Sequence, residues 1–406
     1  MKKVVLASGS RHTIPPIGSS PGMARTIYTI AESEPSSIEY KVISKYDNAI
    51  ESLNFDKKKY YHPQSRLWDK LLIFILNKIP YRIKKKIFGF TQADRILYYY
   101  GIKRLIKKIN PEVIVTVMHY ELFKILHQAF PNSKHIYFYQ STDIIGRLSK
   151  DKINYLINNA NGFMANTQMA IQEFESHYKN KKIPTATVYN GLKLINRSND
   201  SIENIRKLKR EEYSLDSKDF VIGYAGRFSH EKSLLEILEA LKILKEQEIV
   251  VHLFIAGDIK YERTPDYNYY NKVLNFIENN LKGQVHFYGW VVFEELYDFY
   301  ASINVGVLIS KYREGNSMFI TEALSVGVPI IANRVGGNIE IIENNNIGFL
   351  IENHDVAKLL ANKIKFLFDD KILLRQFSNN AIEYAKRKHS KSALVKSFNK
   401  YIKQFI

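Results

Sequence analysis

Residues 112–118 read EVIVTVM, an apolar and β-branched run introduced by Asn110-Pro111. A strand with one wet face alternates apolar and polar side chains. A strand apolar on both faces is covered on both, which implies a parallel sheet sandwiched between helices. The same signature returns at 4–7, 135–139 (HIYFY), 162–165 (GFMA) and 185–189 (TATVY). It recurs beyond a polar interruption at 220–225, 250–256, 285–288, 303–309 and 328–332. Helical periodicity falls between these runs, at 23–32, 234–247 and 317–326, the last stopped by Gly327. A chain of 406 residues is too long for one such domain of roughly 100–200. The polar stretch 196–219 divides it and is expected to be a linker with a peripheral helix. Two α/β domains with a cleft between them follow, and ligands are expected beyond the carboxyl ends of their strands.

The charge is unevenly spread. The chain carries +18, of which residues 1–195 hold +16 and residues 196–406 only +2. Such asymmetry points to an anionic partner for the first half. It is densest at 57–90, where ten Lys and Arg face a single acid, Asp69, and are interleaved with Trp68, Leu71, Leu72, Phe74 and Ile75. Ile79, Ile83 and Ile87 recur every four residues, as on one helical stripe. Basic amphipathic helices of this kind lie in membrane interfaces. The plainer alternative packs the apolar residues on the domain's own sheet and leaves the lysines in water. No nucleic-acid-binding signature accompanies the charge, so no nucleic-acid partner is expected. The absence of cysteine excludes disulfides, thiolate metal sites and a cysteine nucleophile, and fits a reducing cytoplasm. The apolar run at 4–7 is too short for a signal-peptide core, and that at 71–76 is far below the ~18 residues of a spanning helix.

Two segments carry recognisable chemistry. GYAGRFSHEK runs from a strand into a helix. Gly223 and Gly226 allow close backbone approach, and Arg227 and Lys232 flank the helix start, an arrangement suited to a diphosphate. On its own the signal is weak, since Arg and Lys beside a helix start are more often simply solvated. Neither G-x-G-x-x-G nor a Walker loop is present, which argues against dehydrogenase and nucleotide triphosphatase readings. Further on, YREGNSMFITEALSVGVPIIANRVGGNIEII holds Glu314 in a loop and Glu322 on the following helix. Carboxylates accept paired hydrogen bonds and so suit vicinal hydroxyls. Taken alone, one is equally a helix-dipole acid and the other a surface acid.

In order and spacing, these segments resemble the nucleotide-sugar-dependent glycosyltransferases of family 4, the glycosyl transferases group 1, which have the GT-B architecture of two Rossmann-like domains. The resemblance runs from Phe220 to Ile351. It rests on Gly226, Arg227 and Lys232, on Gly257 and Gly289, on the Glu314 and Glu322 pair, on EALSVGVPIIA, and on Gly336-Gly337 with Glu340. It implies that Arg227 and Lys232 hold the donor diphosphate. Glu314 is expected at the transferred sugar and Glu322 at the ribose hydroxyls. The amides of Gly315, Asn316 and Ser317 are expected to face the sugar, although Asn316-Ser317 replace the family's usual aromatic-glycine pair. The first half matches more loosely. Gly22 stands at a glycine of the family's glycine-rich loop, here without its intact Gly-Gly pair. His119 ends a strand where the family places a histidine near the reaction centre, and Asn190-Gly191 matches a turn before the linker.

The resemblance further implies an acceptor-binding domain over 1–195, completed by a crossover segment at 386–406, and a donor-binding domain over 196–385. A cytoplasmic hexosyltransferase, peripheral on the inner face of the plasma membrane, would move sugar from a nucleoside diphosphate sugar to a glycan or lipid-linked hydroxyl. It would retain anomeric configuration without a tightly bound metal or other cofactor, in cell-surface polysaccharide or glycolipid synthesis. A phosphorylase or nucleotide-sugar epimerase of the same architecture, and a non-catalytic basic membrane-binding protein, remain as alternatives.

Overall fold

A computed structural model describes residues 1–9, 12–17, 22–34, 37–63, 68–88, 92–141, 144, 146–194, 199–262, 264–292 and 295–406, without the side chains of Lys70, Lys85, Phe88, Asn199 and Asp200. Parts of the glycine-rich loop, at 10–11 and 18–21, lie outside the described residues, as do 64–67 and 89–90 of the basic segment.

The chain forms two compact units, residues 1–190 with 394–406, and residues 191–393. The first holds a parallel sheet of β1 (Lys2–Ala7), β2 (Ile38–Ile43), β3 (Tyr60–Tyr61), β4 (Val113–Val117), β5 (Lys134–Tyr139), β6 (Gly162–Ala165) and β7 (Thr185–Thr187). Their spatial order is β3-β2-β1-β4-β5-β6-β7. The apolar runs became the central strands as expected: every residue of β4 and β6 is buried. Two strands at one side of the sheet escape the apolar signature. In β2, Glu39 and Lys41 interrupt the run and pair with each other at 2.8 Å, and β3 has only two residues.

The C-terminal helix Lys391–Ile402 delivers Leu394, Phe398, Tyr401 and Ile402 into the core formed by β1, β2, β4 and β5. The Tyr401 hydroxyl lies 2.6 Å from the Pro184 carbonyl that it donates to. The crossover therefore completes the first unit's core.

The second unit holds β8 (Val221–Ala225), β9 (His252–Ala256), β10 (Val285–Gly289), β11 (Val305–Leu308), β12 (Ile330–Asn333) and β13 (Gly348–Ile351), ordered β10-β9-β8-β11-β12-β13 and parallel throughout. The polar stretch after residue 195 is more than a linker with a peripheral helix. Its helix Asn199–Glu211 carries Arg210, which is 1 % exposed. That guanidinium donates to the carbonyls of Ser302, Ser217 and Asp219 and to Asn304 Oδ1, at 2.7–2.9 Å. Arg206 adds a bond to the Ala301 carbonyl at 3.1 Å. Both arginines thus serve the open carbonyl end of the helix Leu296–Ser302.

The basic segment departs from a single helical stripe. Pro80 breaks it into the helices Asp69–Lys78 and Tyr81–Phe88, and Ile79 sits at the break. Ile73, Leu76 and Ile79 pack on the domain core, while Trp68, Leu71, Phe74, Ile75, Ile83 and Ile87 are exposed. The two expectations for this segment each describe one part of it. Lys84, expected among the solvated cations, is buried.

Candidate functional site

In each sheet the chain reverses its winding beside the first strand: between β1 and β4 in one, between β8 and β11 in the other. Such switch points leave a crevice at the strands' carboxyl ends, and the predicted residues lie on the loops that leave these strands.

In the first unit, His119 caps the helix Tyr120–Ala129 directly after β4. Its ring rests on Gly9, which follows β1. A Cβ on Gly9 would fall 1.8 Å from His119 Nε2, so only glycine leaves the imidazole its place. His119 Nδ1 lies 3.2 Å from the hydroxyl of buried Tyr99. Gly22 opens the helix Gly22–Ala31. The Thr26 hydroxyl sits 3.0 Å from the Gly22 carbonyl and 2.9 Å from Asn190 Oδ1, tying that helix start to the Asn-Gly turn.

In the second unit, β8 turns at Gly226, whose amide donates to the Ala256 carbonyl at 3.0 Å. Gly257, at φ +153°, lets β9 pass so close that a Cβ there would lie 2.4 Å from the Gly226 carbonyl oxygen. Tyr224 donates its hydroxyl to the Arg227 carbonyl, and full burial holds its pKa well above the ordinary value, so it stays a neutral donor. Arg227 itself points outward and pairs with Glu231 at 2.9 Å. Lys232 ends a short 3-10 turn, His230–Lys232, just before the helix Leu234–Glu246. Its Nζ meets Glu314 Oε1 at 2.5 Å, joining residues that the sequence separates by 82 positions. That pair is largely shielded: the side chains are 21 % and 13 % exposed.

Glu314 is held by its backbone. The Gly337 amide donates to the Glu314 carbonyl at 2.7 Å. Gly336 has φ +52°, and a Cβ on it would stand 2.1 Å from that same oxygen. The Gly336-Gly337 turn is therefore a clamp on the Glu314 loop, requiring glycine both for its left-handed backbone and for its closeness. Gly315 follows; Asn316 is buried, and Ser317 precedes the helix Met318–Ser325 without a side-chain cap bond among the described residues. Glu322, on that helix, is 7 % exposed, and its Oε2 accepts from the Tyr300 hydroxyl at 2.8 Å. The Tyr300 hydroxyl thus fixes the direction of the Glu322 carboxylate.

Sequence reasoning missed four contributors. Tyr224 and Tyr300 read as core aromatics in apolar runs. Asn333 ends β12 and bridges to the β11 end, accepting from the Ser310 amide at 3.0 Å and donating to its carbonyl at 2.7 Å. Asn338 donates back to the Asn333 carbonyl at 3.2 Å. The signal for the asparagines was their flanking of VGG. No cluster of three or more metal-ligating side chains occurs among the described residues.

Residues 205–384 match the family Glycosyl transferases group 1. The capsular polysaccharide biosynthesis glycosyltransferase CapM of Staphylococcus aureus is 28 % identical over 205 residues, 49 % of this chain and 50 % of that protein. An Escherichia coli enzyme, UDP-Gal:α-D-GlcNAc-diphosphoundecaprenol α-1,3-galactosyltransferase, is 30 % identical over 168 residues, 41 % of each chain. The match thus spans about half the length of such relatives. Among solved structures, Anabaena HepE in complex with UDP superposes with a TM-score of 0.73 at 18 % identity, covering 100 % of both chains. Sucrose-phosphate synthase of Thermosynechococcus elongatus gives 0.74 at 18 % identity, covering 100 % of this chain and 99 % of that one. These likenesses establish the fold.

Proposed function

We propose, from the match of residues 205–384 to the group 1 glycosyltransferases, that the chain transfers a sugar from a nucleoside diphosphate sugar to a hydroxyl of a glycan or lipid-linked acceptor. The observation that carries the reading is the Lys232–Glu314 pair, clamped by Gly336 and Gly337 beside the β8 turn. A cation suited to phosphate and a carboxylate suited to sugar hydroxyls share one loop cluster. In this reading Lys232 and Arg227 take the donor diphosphate, and Arg227 leaves Glu231 to do so. Gly226 admits the phosphates close to the backbone. Glu322, aimed by Tyr300, takes the ribose hydroxyls. Glu314 and the amides of Gly315, Asn316 and Ser317 take the sugar.

Departure of the nucleoside diphosphate builds negative charge on its phosphate oxygens. Fixed cations stabilise that charge without a tightly bound metal. With no second carboxylate cast as nucleophile, front-face displacement with retention is the proposed course. His119, braced by Tyr99 and Gly9, would stand near the reacting centre, with Gly22 on the donor side. The relatives' names favour cell-surface polysaccharide synthesis, and the Escherichia coli relative's diphosphoundecaprenol-linked acceptor favours a lipid-linked one.

The test is a titration of nucleoside diphosphate sugars, UDP-glucose and UDP-galactose among them, followed by thermal unfolding. A bound donor raises the midpoint by mass action. Product analysis with and without acceptor then separates transfer from epimerisation and phosphorolysis. No shift with any donor would overturn the assignment.

We also propose a peripheral site on the cytoplasmic membrane surface for the helices Asp69–Lys78 and Tyr81–Phe88. Support comes from the exposed Trp68, Leu71, Phe74, Ile75, Ile83 and Ile87 beside exposed Arg82 and Lys86. No helix among the described residues is long and apolar enough to cross a membrane. Each cation near an anionic surface contributes about 1 kcal/mol. Replacing Arg82 and Lys86 with serine is expected to reduce pelleting with anionic vesicles at low salt, where charge is least screened. Trp68→Ser is expected to reduce what persists at high salt. Wild-type protein that pellets with neither anionic nor neutral vesicles would sink the proposal.

A further inference from the structure

One groove of the first unit is unused by the chemistry above. It has a volume of about 1230 Å³ and lies over the edge strand β3, between the loop after β2 and the helix Ala93–Ile109. Every residue lining it belongs to the first unit. Besides Lys57, three cations reach it: Lys45 from the loop, and Arg104 and Lys108, one turn apart on the helix. All three are exposed and have no ion pair or hydrogen bond from their side chains among the described residues. The groove's acid, Glu51, is occupied by Lys57 at 3.5 Å and by the Tyr46 hydroxyl at 2.9 Å. Tyr46, Tyr61 and Tyr98 supply ring surface between the cations. Uncompensated positive charge converging on an aromatic-walled groove suits an anion attached to a body with flat apolar faces.

Two connections say what that body is. First, Tyr98 reaches the carbonyls of Ser8 and Gly9, at 3.3 and 3.5 Å, and Gly9 carries the His119 ring. The groove wall is thus one residue from the histidine. Second, the helix that bears Arg104 and Lys108 also supports the exposed helix Asp69–Lys78: Leu76 packs with Ile96, Ile102 and Ile106 of its buried face. Gly101 of the same helix makes room for Pro63, where the chain leaves β3 toward that exposed helix. Cationic groove, histidine and outward apolar face share one support.

We propose that this groove binds the phosphorylated head of a lipid-linked acceptor. Lys45, Arg104 and Lys108 hold its phosphate or diphosphate, the tyrosines flank its first sugar, and its hydrocarbon chain leaves along the exposed helices. The assignment rests on the reading of the first unit as the acceptor side.

The test titrates geranyl diphosphate, a short soluble isoprenoid diphosphate, into the full chain by calorimetry with UDP saturating. The expected result is saturable binding that the double substitution Arg104→Gln, Lys108→Gln weakens at least about tenfold, since charge-assisted contacts are lost. The matched pair Lys103→Gln, Lys107→Gln removes the same charge from exposed positions of that helix outside the groove, and is expected to stay within about twofold of wild type. Inorganic diphosphate is expected to bind more weakly than geranyl diphosphate; equal binding would make this a free-phosphate site and overturn the lipid assignment. Equal losses in the two double variants, or no loss in either, would overturn the groove itself. Failure of UDP to bind wild-type protein strikes the donor reading alone, and the groove titration is then run without it. Unchanged unfolding midpoints in both variants confirm that the fold is intact.

Discussion

Lys232→Ala is expected to lower kcat/KM for transfer about 10- to 100-fold, with little change in the unfolding midpoint. In the proposed reading the ammonium is a charge-assisted partner for the departing diphosphate, and such a contact is worth about 1.5–3 kcal/mol. The substitution acts a second time through Glu314. That carboxylate is only 13 % exposed and would lose its cation partner, so its aim toward the sugar would loosen. UDP affinity should therefore fall together with turnover. Glu314→Gln should instead keep UDP affinity near wild type while transfer is lost, because the proposed function puts it on the sugar. Kinetics of Lys232→Ala indistinguishable from wild type would remove this residue from the donor site.

Arg210→Ala is expected to destabilise the second unit by at least about 3 kcal/mol, measured by denaturant unfolding. The change removes a buried guanidinium and the donor to three carbonyls and the Asn304 side chain, of which the Ser302 contact is fully buried, and a buried acceptor left unmet costs about 1–3 kcal/mol. Asn304 Oδ1 also accepts from the Val221 amide at 2.8 Å, so the loss reaches the start of β8. Arg210→Lys should rescue little, because a point ammonium cannot serve four acceptors spread around a planar fork. A loss below about 1 kcal/mol would mean that water replaces the guanidinium.

The fold was legible where burial on both faces left a continuous apolar run, as in β4, β6 and β9. It was obscured where charge broke the run or the strand was very short, as in β2, β3 and β13. Glu39 and Lys41 of β2 solvate one side and erase the run, and β13 is a short GFLI with three half-buried residues. The polar helix Asn199–Glu211 misled for another reason. One buried arginine among many exposed charges carries no compositional mark, since part of its role is set by the Ser302 carbonyl and the Asn304 side chain, some 90 residues away. At the site, the residue types and their order were visible as a family pattern. Their pairings were not. Lys232 with Glu314, Tyr300 with Glu322 and Gly336 with the Glu314 backbone are meetings of loops and helices that follow separate strands. Spacing along a chain does not encode such contacts.

The C-terminal helix imposes an order in time. Leu394, Phe398, Tyr401 and Ile402 belong to the core of the unit that the ribosome makes first, yet they are translated after the whole of residues 191–393. At about 5–20 residues per second, some 200 intervening residues take roughly 10–40 s. Throughout that interval the nascent first unit carries an open apolar slot beside β1, β2 and β4, to be protected by chaperones or left exposed. Synthesis of the second unit, complete within itself, is thereby also a waiting period for the first.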